Sequence, residues 1–157
     1  MFGKLSSEEI EALLQQQSVG RIGCQADDRI YVVPISYAYD DSYIYGHALE
    51  GMKIFAMRRH PQVCFEVDNL KNLANWQSVI CWGEYEELID DKDRHDALKK
   101  LESRVLPLLS SETMHLSPQW PFPASDAGAV KGIFFRIKLK EKTGRFEKSP
   151  EGKFFAT

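Results

Sequence analysis

The stretch that decides the fold runs from Tyr31 to Val67 and reads YVVPISYAYDDSYIYGHALEGMKIFAMRRHPQVCFEV. Two runs rich in β-branched and aromatic residues flank the polar turn Asp40-Asp41-Ser42. This pattern predicts a hairpin of strands over 30–39 and 43–47. The following residues predict a helix over 50–60, because the proline at position 61 disfavours helical backbone at the residue before it.

The corner between this hairpin and the helix has a composition that a purely structural turn does not require. Gly46-His47-Ala48 ends the strand, and Gly51-Met52-Lys53 opens the helix. The first turn of a helix offers free N–H groups and the positive end of the helix dipole, and a lysine adds a full charge. The corner therefore suits an anionic ligand. Taken alone, His47 is equally compatible with a strand-end histidine bonded within the protein, and Lys53 with a solvated lysine.

The rest of the chain predicts an all-antiparallel arrangement. Ser6 and Glu9 form a capping box at the start of a helix over 6–17. A third helix is expected to begin at Asp90 and to end at Pro107. Alternating apolar runs predict four more strands, over 19–26, 62–67, 76–88 and 129–144. Six strands with three short helices, without the alternation of a parallel sheet, predict a mainly β (α+β) fold: a six-stranded antiparallel barrel with peripheral helices.

Several positions qualify this arrangement. Pro34 cannot donate to a sheet ladder, so its strand is expected to be at an edge, to have a bulge, or to face something other than a neighbouring strand at that point. Gly83 predicts a bulge or bend in the strand over 76–88. Residues 69–75 are polar and are predicted to form a loop. Trp120 lies in a proline-rich irregular segment that is expected to pack over another part of the molecule. The residues 146–157 are predicted to be a loose tail of a single domain, 1–157.

Composition limits the possible partners and the compartment. The 157 residues carry 20 basic and 23 acidic side chains, a net charge of -3, which argues against bulk binding of nucleic acid or of an acidic membrane. The sequence has no long apolar run of the kind that crosses a membrane. The cysteines Cys24, Cys64 and Cys81 lie far apart, which favours reduced thiols over disulfides or a metal site. A cytoplasmic protein without nucleic acid, membrane or metal is expected.

Five blocks of sequence, in this order and spacing, resemble the FMN-binding split-barrel family related to pyridoxamine 5'-phosphate oxidase. The closer resemblance is to the nitroimidazole-resistance-like branch of that family, and it covers roughly residues 5–145. The blocks are Val33-Pro34-Ile35-Ser36-Tyr37, Ile44-Tyr45-Gly46-His47-Ala48, Gly51-Met52-Lys53, Pro61-Gln62-Val63-Cys64-Phe65 and Ser78-Val79 with Gly83.

This resemblance implies a split β-barrel and a homodimer that binds FMN at its subunit interface. It also implies a role for the residues of the corner, because the flavin phosphate would be the anion that binds at the start of the helix. Three groups of cofactor-binding residues are expected: Val33, Pro34, Ile35, Ser36 and Tyr37 along the flavin ring, His47, Ala48, Met52 and Lys53 at the phosphate, and Trp76, Gln77 and Ser78 at the start of a further strand.

The function that the resemblance implies is an FMN-dependent oxidoreductase acting on a small organic molecule, pyridoxamine 5'-phosphate oxidase-like or nitroreductase-like, with His47 as a candidate proton donor. Two departures weaken the case for vitamin B6 oxidation. Met52 stands where relatives that oxidise pyridoxamine phosphate have a basic residue, and the segment around Arg145 lacks their C-terminal arginine motif. Two alternatives remain open: a non-catalytic flavin-binding or redox-sensing module, and a split-barrel relative that binds heme or another ligand.

Overall fold

Eight strands and three helices make up the described part of the chain. The computed structural model describes residues 1–105 and 131–150, so Pro107, the proline-rich segment with Trp120 and the end of the tail lie outside the described residues. In chain order the elements are β1 (Phe2–Lys4), α1 (Ser7–Gln16), β2 (Val19–Ala26), β3 (Arg29–Ser36), β4 (Ala38–Asp40), β5 (Tyr43–Ala48), α2 (Met52–Arg59), β6 (Gln62–Asn72), β7 (Asn75–Leu88), α3 (Asp91–Val105) and β8 (Ile133–Glu147).

The strands form one antiparallel sheet that closes on itself. Its order is β3-β2-β6-β7-β8-β5-β4, and β1 pairs with β8 off this path. β3 ends at Ser36 and β4 begins at Ala38, so only Tyr37 separates the two ends of the order along the chain. The sheet must therefore curl until its ends meet, which produces a barrel. The predicted mainly β class with short peripheral helices is confirmed.

The predicted number of six strands is wrong, for two reasons. The run over 30–39 is two strands, because β3 pairs with β2 and β4 pairs with β5, and the chain changes partner at Tyr37. The second reason is β1, whose three residues carry no pattern that a sequence reading could detect.

Two predicted irregular segments are also strand. The loop predicted over 69–75 is wrong, because β6 continues to Asn72 and β7 begins at Asn75. Their polar side chains reflect exposure rather than a lack of backbone pairing. Phe146 and Glu147, which were predicted to belong to a loose tail, are part of β8 and pair with Gly3 and Phe2.

Three local predictions are confirmed. Ser6 Oγ accepts a hydrogen bond from the Glu9 N–H at 3.2 Å, and the Ser6 N–H donates to Glu9 Oε1 at 3.0 Å, which completes the capping box. Pro34 lies on β3, at one end of the sheet order. The pairing of β7 with β8 shifts register between Trp82 and Gly83.

The core has two parts, and together they fix the corner. The larger cluster fills the barrel and includes Ile54 and Met57, which seat α2 against the residues of β2. The smaller cluster holds α3 against β4, β5 and β8 through Leu98, Leu101 and Phe134. The end of β5 and the start of α2 are thus held by packed elements on both sides.

Candidate functional site

The first turn of α2 presents backbone donors without a side-chain cap. Gly51 is the N-cap residue, its backbone is extended (φ -177°), and no side chain accepts a hydrogen bond from the turn. The Gly51 carbonyl accepts the first helical bond from the Phe55 N–H at 3.0 Å. The N–H groups before Phe55 have no acceptor within the helix, so the turn can bind an anion.

Lys53 supplies a charge at the same turn. Its side chain is half-buried, and this burial lowers the pKa of its ammonium, an effect that the nearby Cys24 thiol partly offsets. Within residues 1–105 and 131–150, no hydrogen bond or ion pair engages this ammonium. A half-buried cation without a partner is unfavourable, and an anionic ligand would relieve that cost.

His47 is held by a contact that the sequence does not reveal. Its Nε2 lies 2.7 Å from the carbonyl oxygen of Lys131, which can only accept, so Nε2 carries the proton. The ring packs 4.8 Å from the ring of Phe134. Burial lowers the pKa of His47, and the charges of Arg94 and Lys53 lower it further. The structure thus brings His47 and Lys53 together, and the Nε2–H of His47 is bonded within the protein.

Gly132 allows the backbone at residues 131 and 132 to lie close to His47. Its φ of +106° is strained for other residues, and a Cβ there would lie 2.8 Å from both His47 Nε2 and the Ala48 carbonyl oxygen. Neither Lys131 nor Gly132 was singled out from the sequence. A Lys-Gly pair before an apolar strand is too common to indicate a role.

The side chains of residues 33–37, which were predicted to lie along the flavin ring, point to two different faces of the sheet. Pro34 and Ser36 are exposed on the outer face of the barrel, and Ile35 is buried. Tyr37 is fully buried, and its hydroxyl donates to the Leu14 carbonyl at 2.7 Å, so its side chain is committed to the core. Val33 is half-buried and lies on the inward side of the strand with Ile35. Among the described residues, β3 has a strand partner on one side only, so the backbone of its other edge has no strand partner there.

Of the third predicted group, Ser78 lies on the same outer face as Pro34. Register pairs Pro34 with Arg21 and Arg21 with Glu66, and Arg21 Nη1 lies 3.2 Å from carboxylate oxygens of both Glu66 and Asp68. The hydroxyl of Ser78 donates to Glu66 Oε1 at 3.1 Å. Burial and the neighbouring Asp68 raise the pKa of Glu66. A polar chain thus links β2, the strand that pairs with the edge strand β3, to the start of β7.

Trp76 and Gln77 border a separate cleft of about 680 Å³ at the start of β7. The indole N–H of Trp76 donates to Glu147 Oε2 at 3.0 Å, which fixes the ring beside the last strand. Phe146 also lines this cleft. The described residues contain no group of His, Cys, Asp and Glu side chains that could hold a metal ion. Nor do they contain a helix with the length and apolar character needed to cross a membrane.

Comparison with known proteins agrees with this geometry. Residues 6–146 match the pyridoxamine 5'-phosphate oxidase family. An uncharacterized protein of Rhizobium meliloti is 29% identical over 148 residues, which cover 90% of this chain and 92% of the relative. The crystal structure of an FAD-binding protein from Mesorhizobium loti is 31% identical, with a TM-score of 0.74 over 94% of this chain and 99% of the other.

A more distant structure agrees in fold alone. A protein proposed to confer 5-nitroimidazole antibiotic resistance in Bacteroides thetaiotaomicron is 18% identical, with a TM-score of 0.71 over 93% of this chain and 87% of the other. The residues that match the family include β5, the first turn of α2 and the strands that carry the other predicted site residues. This chain belongs to the pyridoxamine 5'-phosphate oxidase-related family of split-barrel proteins.

Proposed function

We propose that this chain is an FMN-binding flavoprotein, an oxidoreductase that acts on a small organic substrate as a cytoplasmic homodimer. The observation that carries the proposal is Lys53, a half-buried ammonium without a hydrogen-bond or ion-pair partner among the described residues, at an uncapped helix start. The FAD-binding relative from Mesorhizobium loti supports a flavin, because FAD contains the whole of FMN. The free thiols of Cys24, Cys64 and Cys81 support a reducing compartment.

The roles of the residues follow from their places. A bound flavin would supply the redox chemistry. The N–H groups of Met52 and Lys53 and the Lys53 ammonium would hold its phosphate through charge-assisted hydrogen bonds. The free edge of β3 around Pro34 would give the flavin ring a backbone wall. His47, bonded through Nε2, would fix the corner, and a proton-donating role for Nε2 would require that bond to open.

The proposed dimer interface lies on the outer face of the sheet. Val32 is 62% exposed and Trp82 is 41% exposed, and both lie on the same face as Pro34 and Ser78 by register. Ile80 adds to this apolar surface. A second copy covering this face would bury it and would close the flavin ring against solvent.

The proposal is tested by the colour of the protein and by one substitution. Purified protein is expected to absorb at about 370 and 450 nm, the approximate bands of a flavin. Lys53→Ala is expected to weaken flavin binding by about 1–3 kcal/mol, the cost of losing a charge-assisted hydrogen bond, without lowering the melting temperature of the flavin-free protein. Lys99→Ala, an exposed lysine on α3, is the matched control.

The outcomes separate the possible functions. A colourless protein that does not take up added FMN would overturn the proposal, and heme absorption would identify a different ligand. Equal flavin dissociation constants for Lys53→Ala and Lys99→Ala would remove Lys53 from the phosphate site. Turnover of NAD(P)H with a quinone or a nitroaromatic compound would establish an enzyme, whereas flavin binding without turnover would indicate a binding or sensing module.

A further inference from the structure

Three neighbouring strands, β6, β7 and β8, carry charges of opposite sign on the two sides of the middle strand. Register pairs Asp68 on β6 with Ser78 on β7, and Ser78 with Arg145 on β8. All three side chains point to the outer face of the sheet, because each residue has a buried neighbour on its own strand. Since adjacent strands are about 4.8 Å apart, the backbones at Asp68 and Arg145 are about 10 Å apart.

The acidic side of this arrangement, on β6, has fewer cations than carboxylates. Glu66 and Asp68 share the guanidinium of Arg21, whose Nη1 lies 3.2 Å from an oxygen of each carboxylate. The side chains of Glu66 and Asp68 are only 27% and 24% exposed. Burial and the neighbouring Asp68 raise the pKa of Glu66, as expected for two carboxylates that lie close together. A second cation would therefore stabilise this pair of carboxylates.

The basic side, on β8 and β1, has the opposite imbalance. Register pairs Arg145 with Lys4, so two cations lie directly opposite each other, and like charges in that position repel. Both side chains are exposed, and within the described part of the chain neither has a hydrogen bond or an ion pair. Glu147, two residues further along β8, accepts a hydrogen bond from the indole N–H of Trp76. An additional carboxylate would therefore stabilise Arg145 and Lys4.

A single two-fold axis supplies both missing partners. When two copies pack through their outer faces, an axis that runs along β7 between the sheets places β6 of one copy opposite β8 of the other. Packed sheets lie about 10 Å apart, a gap that an arginine and an aspartate side chain can bridge from opposite sides. The exposed Ile80 and Trp82 follow Ser78 at alternate positions of β7, so the same axis brings these apolar side chains against a second β7.

We propose that two copies of this chain associate across a two-fold axis along β7, with Asp68 of each copy bound to Arg145 of the other. The inference rests on the proposed function, from which it takes the homodimer and its outer-face interface. Each guanidinium supplies the second cation for Glu66 and Asp68, and each aspartate reduces the repulsion between Arg145 and Lys4. The two ion pairs select a second copy as the partner, because the charges beside β7 complement the same face after the rotation.

The experiment reverses the two charges in the full chain. Arg145→Glu and Asp68→Lys each place like charges opposite one another, so the dimer of each variant is expected to dissociate with a constant at least about a hundredfold above that of the unaltered protein. An equal mixture of the two variants is expected to form dimers with one copy of each, because both pairs then join opposite charges. Analytical ultracentrifugation with one variant fluorescently labelled measures both results. Lys99→Glu, at an exposed lysine on α3, is the control.

The mixture identifies the contact itself. Single variants as dimeric as Lys99→Glu would overturn the inference, and so would monomeric variants that stay monomeric when mixed. If circular dichroism shows that a charge reversal unfolds the chain, Arg145→Gln and Asp68→Asn replace it. Each is expected to weaken the dimer about tenfold and the double variant hardly further, whereas effects that multiply would overturn the pairing.

Flavin titration of the same samples separates this inference from the proposed function. Variants that recombine into dimers but take up no FMN would support the inference and overturn the flavin proposal. An unaltered protein that binds FMN as a monomer at micromolar concentration would overturn the inference and the proposed dimer, and would leave flavin binding intact.

Discussion

Tyr37 was predicted to bind the cofactor, but its hydroxyl makes a contact within the protein. A substitution that removes this hydroxyl tests whether the role of Tyr37 is structural. The hydroxyl donates to the Leu14 carbonyl at 2.7 Å, and the side chain is fully buried. Leu14 lies in the last turn of α1, where carbonyl groups have no partner within the helix. Arg104 binds the carbonyls of Gln15 and Gln17 in the same turn, so side chains from elsewhere in the fold hold this helix end.

Tyr37→Phe removes one hydroxyl and leaves the ring in place. The Leu14 carbonyl then loses its donor in a buried position, which costs about 1–3 kcal/mol of unfolding free energy. For a chain of this size, each kcal/mol lowers the melting temperature by about 2–4 °C. Calorimetry or circular dichroism measures this loss. Tyr31→Phe is the control, because Tyr31 is half-buried on β3, the strand that ends just before Tyr37, and its hydroxyl has no hydrogen bond within the described residues.

Flavin titration of the same variant completes the test. Because the Tyr37 side chain points into the core, the flavin dissociation constant is expected to stay within about twofold of the unaltered value, less than the loss of a single hydrogen bond. An unchanged melting temperature together with weaker flavin binding would refute this reasoning. That result would mean that the Tyr37 hydroxyl reaches the cofactor instead of the end of α1.

Three further predictions concern the corner and the outer face. Gly132→Ala is expected to lower the free energy of unfolding by about 1–3 kcal/mol, because the positive φ and the 2.8 Å distance to His47 leave no room for a Cβ. Thermal unfolding measures this loss. An unchanged stability would contradict the close packing of Gly132 against His47. Burial lowers the pKa of His47 below the usual histidine value of about 6.5, so the unfolded chain binds this proton more readily, and stability is expected to fall as the pH drops below about 6.5. His47→Gln should reduce that slope in urea titrations, and an identical slope would show that His47 is not responsible. Trp82→Glu is expected to convert the proposed dimer to a monomer in light scattering, and a monomer in the unaltered protein at micromolar concentration would contradict the dimer.

Local signals were sufficient to predict much of the fold. The capping box of Ser6 and Glu9, the edge position of Pro34 and the irregularity at Gly83 each depend on the chemistry of neighbouring residues, and each was correct. β1 and the division of the chain at Tyr37 depend instead on pairing with distant strands. Residues 69–72 were missed for a related reason, because backbone pairing sustains a strand whose side chains remain in water.

The candidate site also has features that depend on distant residues and could not be predicted from the local sequence. The composition of the corner placed Lys53 at a helix start, and the structure adds that its ammonium is half-buried. No pattern near His47 indicates that its Nε2 is bonded to Lys131, which is 84 residues away in the chain. The inward direction of Tyr37 was equally hidden, because the alternation of a strand tells which residues share a face but not which face meets the core.

The position of β8 has a consequence for the order of folding. This one strand pairs with β1, β5 and β7, so it joins the first residues of the chain to its middle. During synthesis the chain emerges from its N-terminus, and the barrel cannot close until residue 147 is available. Until then β5 and β7 each have an unpaired edge, which is prone to pairing with other chains. Closure of the barrel is thus delayed until β8 has been synthesised, and its rate is set by contacts between distant segments.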